Sequence, residues 1–228
     1  MKKIFIDIDD TILDFKKDSI EGLGKVYRQY HIPVTNETID VFKAVNQRLW
    51  KSYELGELDS EAIFNQRFGL IFEQLGFEID DIREVDDFYR QTHIDAYSVL
   101  PNAEALLQAL FSDYKIYGVS NGKTGRRRLH QAQLSHFFDG IFLSEDMGYQ
   151  KPQPQFFEYI ASKIPNYQKE QVIMIGDTLT SDILGGNQYG IPTIWYNPEE
   201  LENHTEIVPT REVKQLMEIP AVLMQLFN

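Results

Sequence analysis

Residues 4–11 read IFIDIDDT, an apolar run that ends in three carboxylates and a threonine. Ile4, Phe5, Ile6 and Ile8 suit a strand covered on both faces, as in a parallel sheet. Asp7, Asp9 and Asp10 then stand where that strand emerges, close enough to disfavour joint ionisation. A bound cation is the expected compensation.

Working outward, the texture of the chain changes twice. Residues from about 16 to 97 read as successive amphipathic helices. Phe42, Val45, Leu49 and Tyr53 form one apolar stripe, and Phe64, Phe68, Ile71 and Leu75 another. Asp59 or Ser60 is placed to cap the second. From Leu100 onward short β-rich runs alternate with helical ones. The strands expected are KIYGVS (115–120), GIFLS (140–144), VIMIG (172–176) and PTIWY (192–196). Helices are expected at about 102–111, 123–134, 153–163 and 181–189, and the segment TREVKQLMEIPAVLMQLF reads as a docked C-terminal helix. That alternation predicts an α/β fold, a Rossmann-like doubly wound parallel sheet with helices on both faces. Its first strand is split from the rest by a helical insertion. The expected organisation is a core of 1–15 with 98–228, and a helical cap of 16–97.

Composition narrows the function. The 228 residues carry a formal net charge of −13, which argues against a nucleic-acid polymer or an anionic membrane surface as partner. Cysteine is absent, which excludes disulfides, thiolate zinc sites and cysteine nucleophiles. The N-terminal apolar stretch is too short and acidic for a signal peptide, so a cytoplasmic location is expected.

Ligands of open α/β sheets bind at the carboxyl ends of the strands. There the sequence places Asp7, Asp9, Asp10 and Thr11, then Ser120, Asn121 and Gly122, then Lys151, then Asp177 and Asp182. Taken singly, these are ordinary cap, turn and solvated-loop residues. Together, each set directly after an apolar strand-like run, they outline one rim. Oxygen donors without nearby His or Cys suit a hard cation such as Mg²⁺.

The series DIDDT, VSN, KP and GDTLTSD resembles the four motifs of the haloacid dehalogenase-like (HAD) hydrolases, over essentially the whole chain. The helical insertion matches the position of that family's cap. Asp10 departs from the pattern, standing where many members have glycine. The resemblance implies a phosphatase with Asp7 as nucleophile, forming an aspartyl-phosphate, and Asp9 as general acid and base. It implies Mg²⁺ held by Asp7, the Asp9 backbone carbonyl and Asp177, with Asp182 orienting the metal site. Ser120, the Asn121 backbone and Lys151 would hold the phosphoryl oxygens. Asp7 and Asp9, alternate along a regular strand, would share a face toward one phosphate.

The presence of Asp9 disfavours carbon–halogen cleavage, which needs no leaving-group acid. A nucleotide-dependent dehydrogenase is weaker still, since no G-x-G-x-x-G follows the first strand. A receiver-type signalling module shares the Asp, Mg²⁺, hydroxyl and Lys, but is smaller and lacks the helical insertion. The segments 44–61 and 176–191 resemble the bacterial pyrimidine 5′-nucleotidases, which implies a nucleoside monophosphate as substrate. Trp50, Tyr53 and Phe64 are then either base-stacking groups or cap core. A phosphatase of another small metabolite, such as phosphoglycolate or a sugar phosphate, is the alternative. Lys123, Arg126, Arg127 and Arg128 read as a solvated helix face, or else as a patch steering an anionic substrate.

Overall fold

The computed structural model describes residues 1–94 and 96–227. Its backbone contacts divide the chain into two units, Met1–Phe15 with Tyr97–Asn228, and Lys16–Ala96.

The first unit is built on a six-stranded parallel sheet in the order β3-β2-β1-β4-β5-β6. Its strands are β1 (Lys3–Asp7), β2 (Lys115–Ser120), β3 (Gly140–Leu143), β4 (Val172–Gly176), β5 (Thr193–Tyr196) and β6 (Arg211–Val213). β1 lies in the middle, hydrogen-bonded to β2 on one side and β4 on the other. Side chains alternate across the sheet. Ile4 and Ile6 join one core cluster, and Phe5 joins another on the opposite face with Val119 and Met174. Both faces being covered explains why β1 is apolar without alternation. The sheet is therefore the Rossmann-like doubly wound arrangement that the sequence predicts.

The helices of the chain are α1 (Phe15–Gln29), α2 (Asn36–Glu54), α3 (Ser60–Leu75), α4 (Ile82–Ile94), α5 (Ala103–Leu110), α6 (Gly125–Gln131), α7 (Ser144–Met147), α8 (Pro154–Lys163), α9 (Leu184–Tyr189) and α10 (Ile219–Leu226). α5 and α10 cover the Ile4 face and α8 covers the Phe5 face. A π-helical turn at Leu179–Ile183 leads into α9.

The second unit is helical, with α2 and α3 packing through the expected stripes. Phe42, Val45, Leu49, Tyr53, Phe64, Phe68 and Ile71 are all buried in its core. Asp59 caps α3, its carboxylate accepting from the Ala62 N–H at 2.7 Å. No helix among the described residues is long and apolar enough to cross a membrane.

Two expectations need correction. The C-terminal segment is not one helix, because residues 211–213 add the edge strand β6 before α10 begins. Three residues, of which Val213 alone is buried, are too few to show a period of two. Nor does β1 continue to Asp9. It ends at Asp7, and Asp9 sits in a turn bridged to Leu13, so the two carboxylates are not related by strand alternation.

Candidate active site

Sheet register brings the motif residues together. Asp7 ends β1 opposite Val119 of β2, and Ile6 pairs with Ile175 of β4. Ser120 is thus the last residue of β2, while Asp177 follows the last residue of β4, each at the same edge as Asp7.

Lys151 is the hub. Its ammonium, almost completely buried, donates to Asp7 Oδ1 at 2.5 Å, to Asp182 Oδ1 at 2.7 Å and to the Val119 carbonyl at 3.1 Å. Those bonds use all three donors of a lysine. Burial works against the charge on Lys151, but the Asp182 and Asp7 carboxylates outweigh it and hold the ammonium above its ordinary range. Asp7 is itself pushed well above the usual carboxylate range by burial. Lys151 opposes that shift, while Asp182, Asp177 and Asp9 add to it.

Asp7, Asp177 and Asp182 each offer a carboxylate oxygen within 4.8 Å of the others. An all-oxygen set of this charge fits a hard divalent cation. Asp182 is the least available of the three: Oδ1 is bound by Lys151, and Oδ2 accepts from the Thr178 N–H at 3.0 Å. Asp7 and Asp177 are the residues better disposed to hold the ion. The Trp195 indole N–H donates to the Asp177 carbonyl at 2.8 Å, tying that loop to β5.

Asp9 belongs to a second, adjoining cluster. Its Oδ2 accepts from the Ser120 hydroxyl at 3.1 Å, and its Oδ1 is paired with Arg128 of α6. The Ser120 oxygen in turn accepts from the Gly122 N–H at 2.8 Å. Asn121 does something its sequence position did not reveal. Its side chain accepts from the Lys151 N–H at 2.8 Å and donates to the Lys151 carbonyl at 2.9 Å. This two-bond clamp fixes the backbone that carries the hub lysine.

The basic cluster divides. Arg126 and Lys123 are surface residues paired with Asp146 and Glu145, in keeping with a solvated face. Arg128 is not on that face, for it is fully buried. The run of three arginines concealed the signal, which is positional. Gly125, Arg128 and Leu129 fall at i, i+3 and i+4 and form the buried stripe of α6. Where a bound cation was the expected compensation, the structure also sets two side-chain cations against the opening carboxylates, Lys151 on Asp7 and Arg128 on Asp9.

Comparison with known proteins gives the family. The chain is 37% identical to the pyrimidine 5′-nucleotidase PynA of Streptococcus pneumoniae, over 93% of this chain and 90% of that protein. It is 33% identical to the pyrimidine 5′-nucleotidase YjjG of Escherichia coli, over 96% of each. The crystal structure of the HAD-hydrolase YfnB of Bacillus subtilis, bound to magnesium, superimposes with a TM-score of 0.92 at 35% identity, covering 97% of this chain and 98% of that one. Residues 1–190 match the haloacid dehalogenase-like hydrolase family, with every strand end that carries the two clusters inside the match. The chain belongs to the haloacid dehalogenase-like hydrolases.

Proposed function

We propose that the protein is a Mg²⁺-dependent phosphatase that works through an aspartyl-phosphate on Asp7, and that it hydrolyses pyrimidine nucleoside 5′-monophosphates. The observation that carries the phosphatase reading is the Lys151-centred cluster of Asp7, Asp177 and Asp182, with Asp9 beside it.

An Asp7 carboxylate oxygen attacks phosphorus as the bond to the ester oxygen breaks. Asp9 gives its proton to the departing alkoxide. It then takes a proton from the water that attacks the phosphoaspartate, the bond from Asp7 to phosphorus breaks, and inorganic phosphate leaves. One water is consumed, and it restores the proton that Asp9 gave to the alkoxide. Lys151 balances charge beside Asp7 throughout, and Ser120, its hydroxyl turned from Asp9 to the substrate, holds phosphoryl oxygens with the Asn121 main chain. Asp7, Asp177 and the Asp9 carbonyl would hold Mg²⁺, which when bound would supply further neutralisation of the transferring group. Asp182 positions Lys151 and the Thr178 backbone.

The substrate reading is supported by the likeness to PynA and YjjG. The unit 16–96 is assigned as the cap that selects it. Tyr53 and Phe64 are packed into the core of that unit, whereas Trp50 is only partly buried, its ring edge-on to Tyr53 at 5.4 Å. Trp50 is therefore the aromatic best fitted to stack a base. The burial of the other two favours a second reading, a small-metabolite phosphatase whose aromatics serve only as core.

The test compares kcat/KM for UMP, dUMP and dTMP with phosphoglycolate and hexose phosphates, beside an Asp7→Asn control. Nucleotides are expected to lead and the control to be inert. A tenfold lead by the non-nucleotides, about 1.4 kcal/mol of transition-state preference, would reject the nucleotidase assignment. An active Asp7→Asn enzyme would reject the mechanism.

A further inference from the structure

Arg128 is one of the largest fully buried side chains of the protein, and a buried guanidinium is costly unless paired. It lies beneath Phe15, its guanidinium 5.2 Å from the ring centroid, and is ion-paired with Asp9. α6 comes near enough because residue 125 is glycine: a Cβ there would stand 3.0 Å from Ile8 Cδ1. Residue 122 is glycine for a related reason, since a Cβ on it would stand 2.9 Å from Asp9 Oδ2 and 3.1 Å from Ser120 Oγ. The Asp9 carboxylate, partly exposed, is therefore flanked by Arg128 at one oxygen, Ser120 at the other and the Gly122 backbone alongside.

We propose that Arg128 is a positioning residue that acts on phosphate-ester cleavage by fixing the direction of the Asp9 carboxyl group, which delivers the proton to the leaving group. The proposal rests on the assignment of Asp9 as general acid. Asp9 stands in a turn beyond the end of β1, so the sheet does not fix its side chain. A fully buried guanidinium set over the Phe15 ring has little room to move, and Ser120 alone offers one hydroxyl. Arg128 supplies the rigid contact that sets the carboxylate's direction, and it acts through Asp9 rather than on the substrate.

Leaving groups separate this role from a structural one. The ratio kcat/KM covers steps up to departure of the alcohol, so it excludes the later hydrolysis of the phosphoaspartate. An alkoxide needs a proton as it leaves, and 4-nitrophenolate scarcely does. Arg128→Met is expected to lower kcat/KM on the order of 10²-fold for a nucleoside monophosphate, and about threefold or less for 4-nitrophenyl phosphate. Asp9→Asn should show the same selectivity, and the double variant should lose no more than Asp9→Asn alone. Arg128→Lys, which keeps a buried cation, should recover part of the loss. If Arg128→Met does not fold, the comparison is made on Arg128→Lys, where the same selective loss is expected. Equal losses on both esters, or losses that multiply with Asp9→Asn, would overturn the proposal. Failure of the underlying assignment would show separately, as an Asp9→Asn enzyme without leaving-group selectivity.

Discussion

Asp10 shows what a single position is asked to do. It lies at φ 60°, in the left-handed region, and its N–H donates to the Leu13 carbonyl at 2.7 Å to close the turn after β1. Glycine reaches this conformation without steric cost, and Asp is among the few other residues that tolerate it. The departure from glycine in the first motif is thus conformationally mild. Asp10→Gly should keep stability within about 0.5 kcal/mol and leave turnover unchanged, whereas the β-branched Asp10→Val should lose about 1–2 kcal/mol; urea midpoints of the two variants decide it. Gly176 is constrained by space instead. A Cβ there would come within 2.6 Å of the Asp182 Cβ and closer still to its carboxylate. Gly176→Ala should therefore push Asp182 off Lys151, lowering stability by about 1–3 kcal/mol and turnover with it. An alanine variant with unaltered turnover would show that Asp182 has room to spare. Asp7, Asp9 and Asp177 were legible in the sequence because each stands at or just past the end of an apolar run, whereas Asp182 was legible only as part of the motif GDTLTSD. Arg128 was not, since its meaning lies in the α6 stripe rather than in the arginine run.

At the scale of elements, β1 to β5 were legible because each is a short run dominated by apolar or β-branched residues, such as IFI in β1, VIMI in β4 and TIWY in β5. β6 was not, because its three residues read REV and Val213 alone is buried. The link between elements that the sequence concealed is the Asn121 clamp, which joins the end of β2 to the loop before α8. No local pattern announces it, for the partners are thirty residues apart. Asn121→Ala removes both bonds and leaves the Lys151 backbone groups to find other partners. The expected cost is about 1–3 kcal/mol of stability. Turnover should fall as well, because Lys151 would no longer be held where it meets Asp7 and Asp182. Thermal unfolding and kcat measured together test this: a destabilised variant with wild-type kcat would make the clamp a purely structural feature.

For the whole molecule, the two units differ in what a metal ion can stabilise. All the carboxylates assigned to Mg²⁺ belong to the unit formed by 1–15 and 97–228. A ligand that binds only the folded state stabilises by an amount set by its concentration over Kd, about 2.7 kcal/mol at a hundredfold excess. That gain must appear in the unfolding of the α/β unit. The chain's two tryptophans allow it to be observed there, since Trp50 lies in the helical unit and Trp195 in the sheet. Trp195 is also bonded to the carbonyl of Asp177, a residue proposed to hold the ion. In Trp50→Phe protein, Trp195 emission should report an unfolding midpoint that rises with Mg²⁺ and falls back with EDTA. Asp177→Asn in that background should abolish the rise, because a neutral amide replaces one of the two carboxylates best disposed to hold the ion. Asp182→Asn should lower the midpoint with and without Mg²⁺, since its main bonds are to Lys151 and Thr178. A Mg²⁺-dependent rise that survives Asp177→Asn and vanishes in Asp182→Asn would exchange the two roles, making Asp182 the ligand and Asp177 its support.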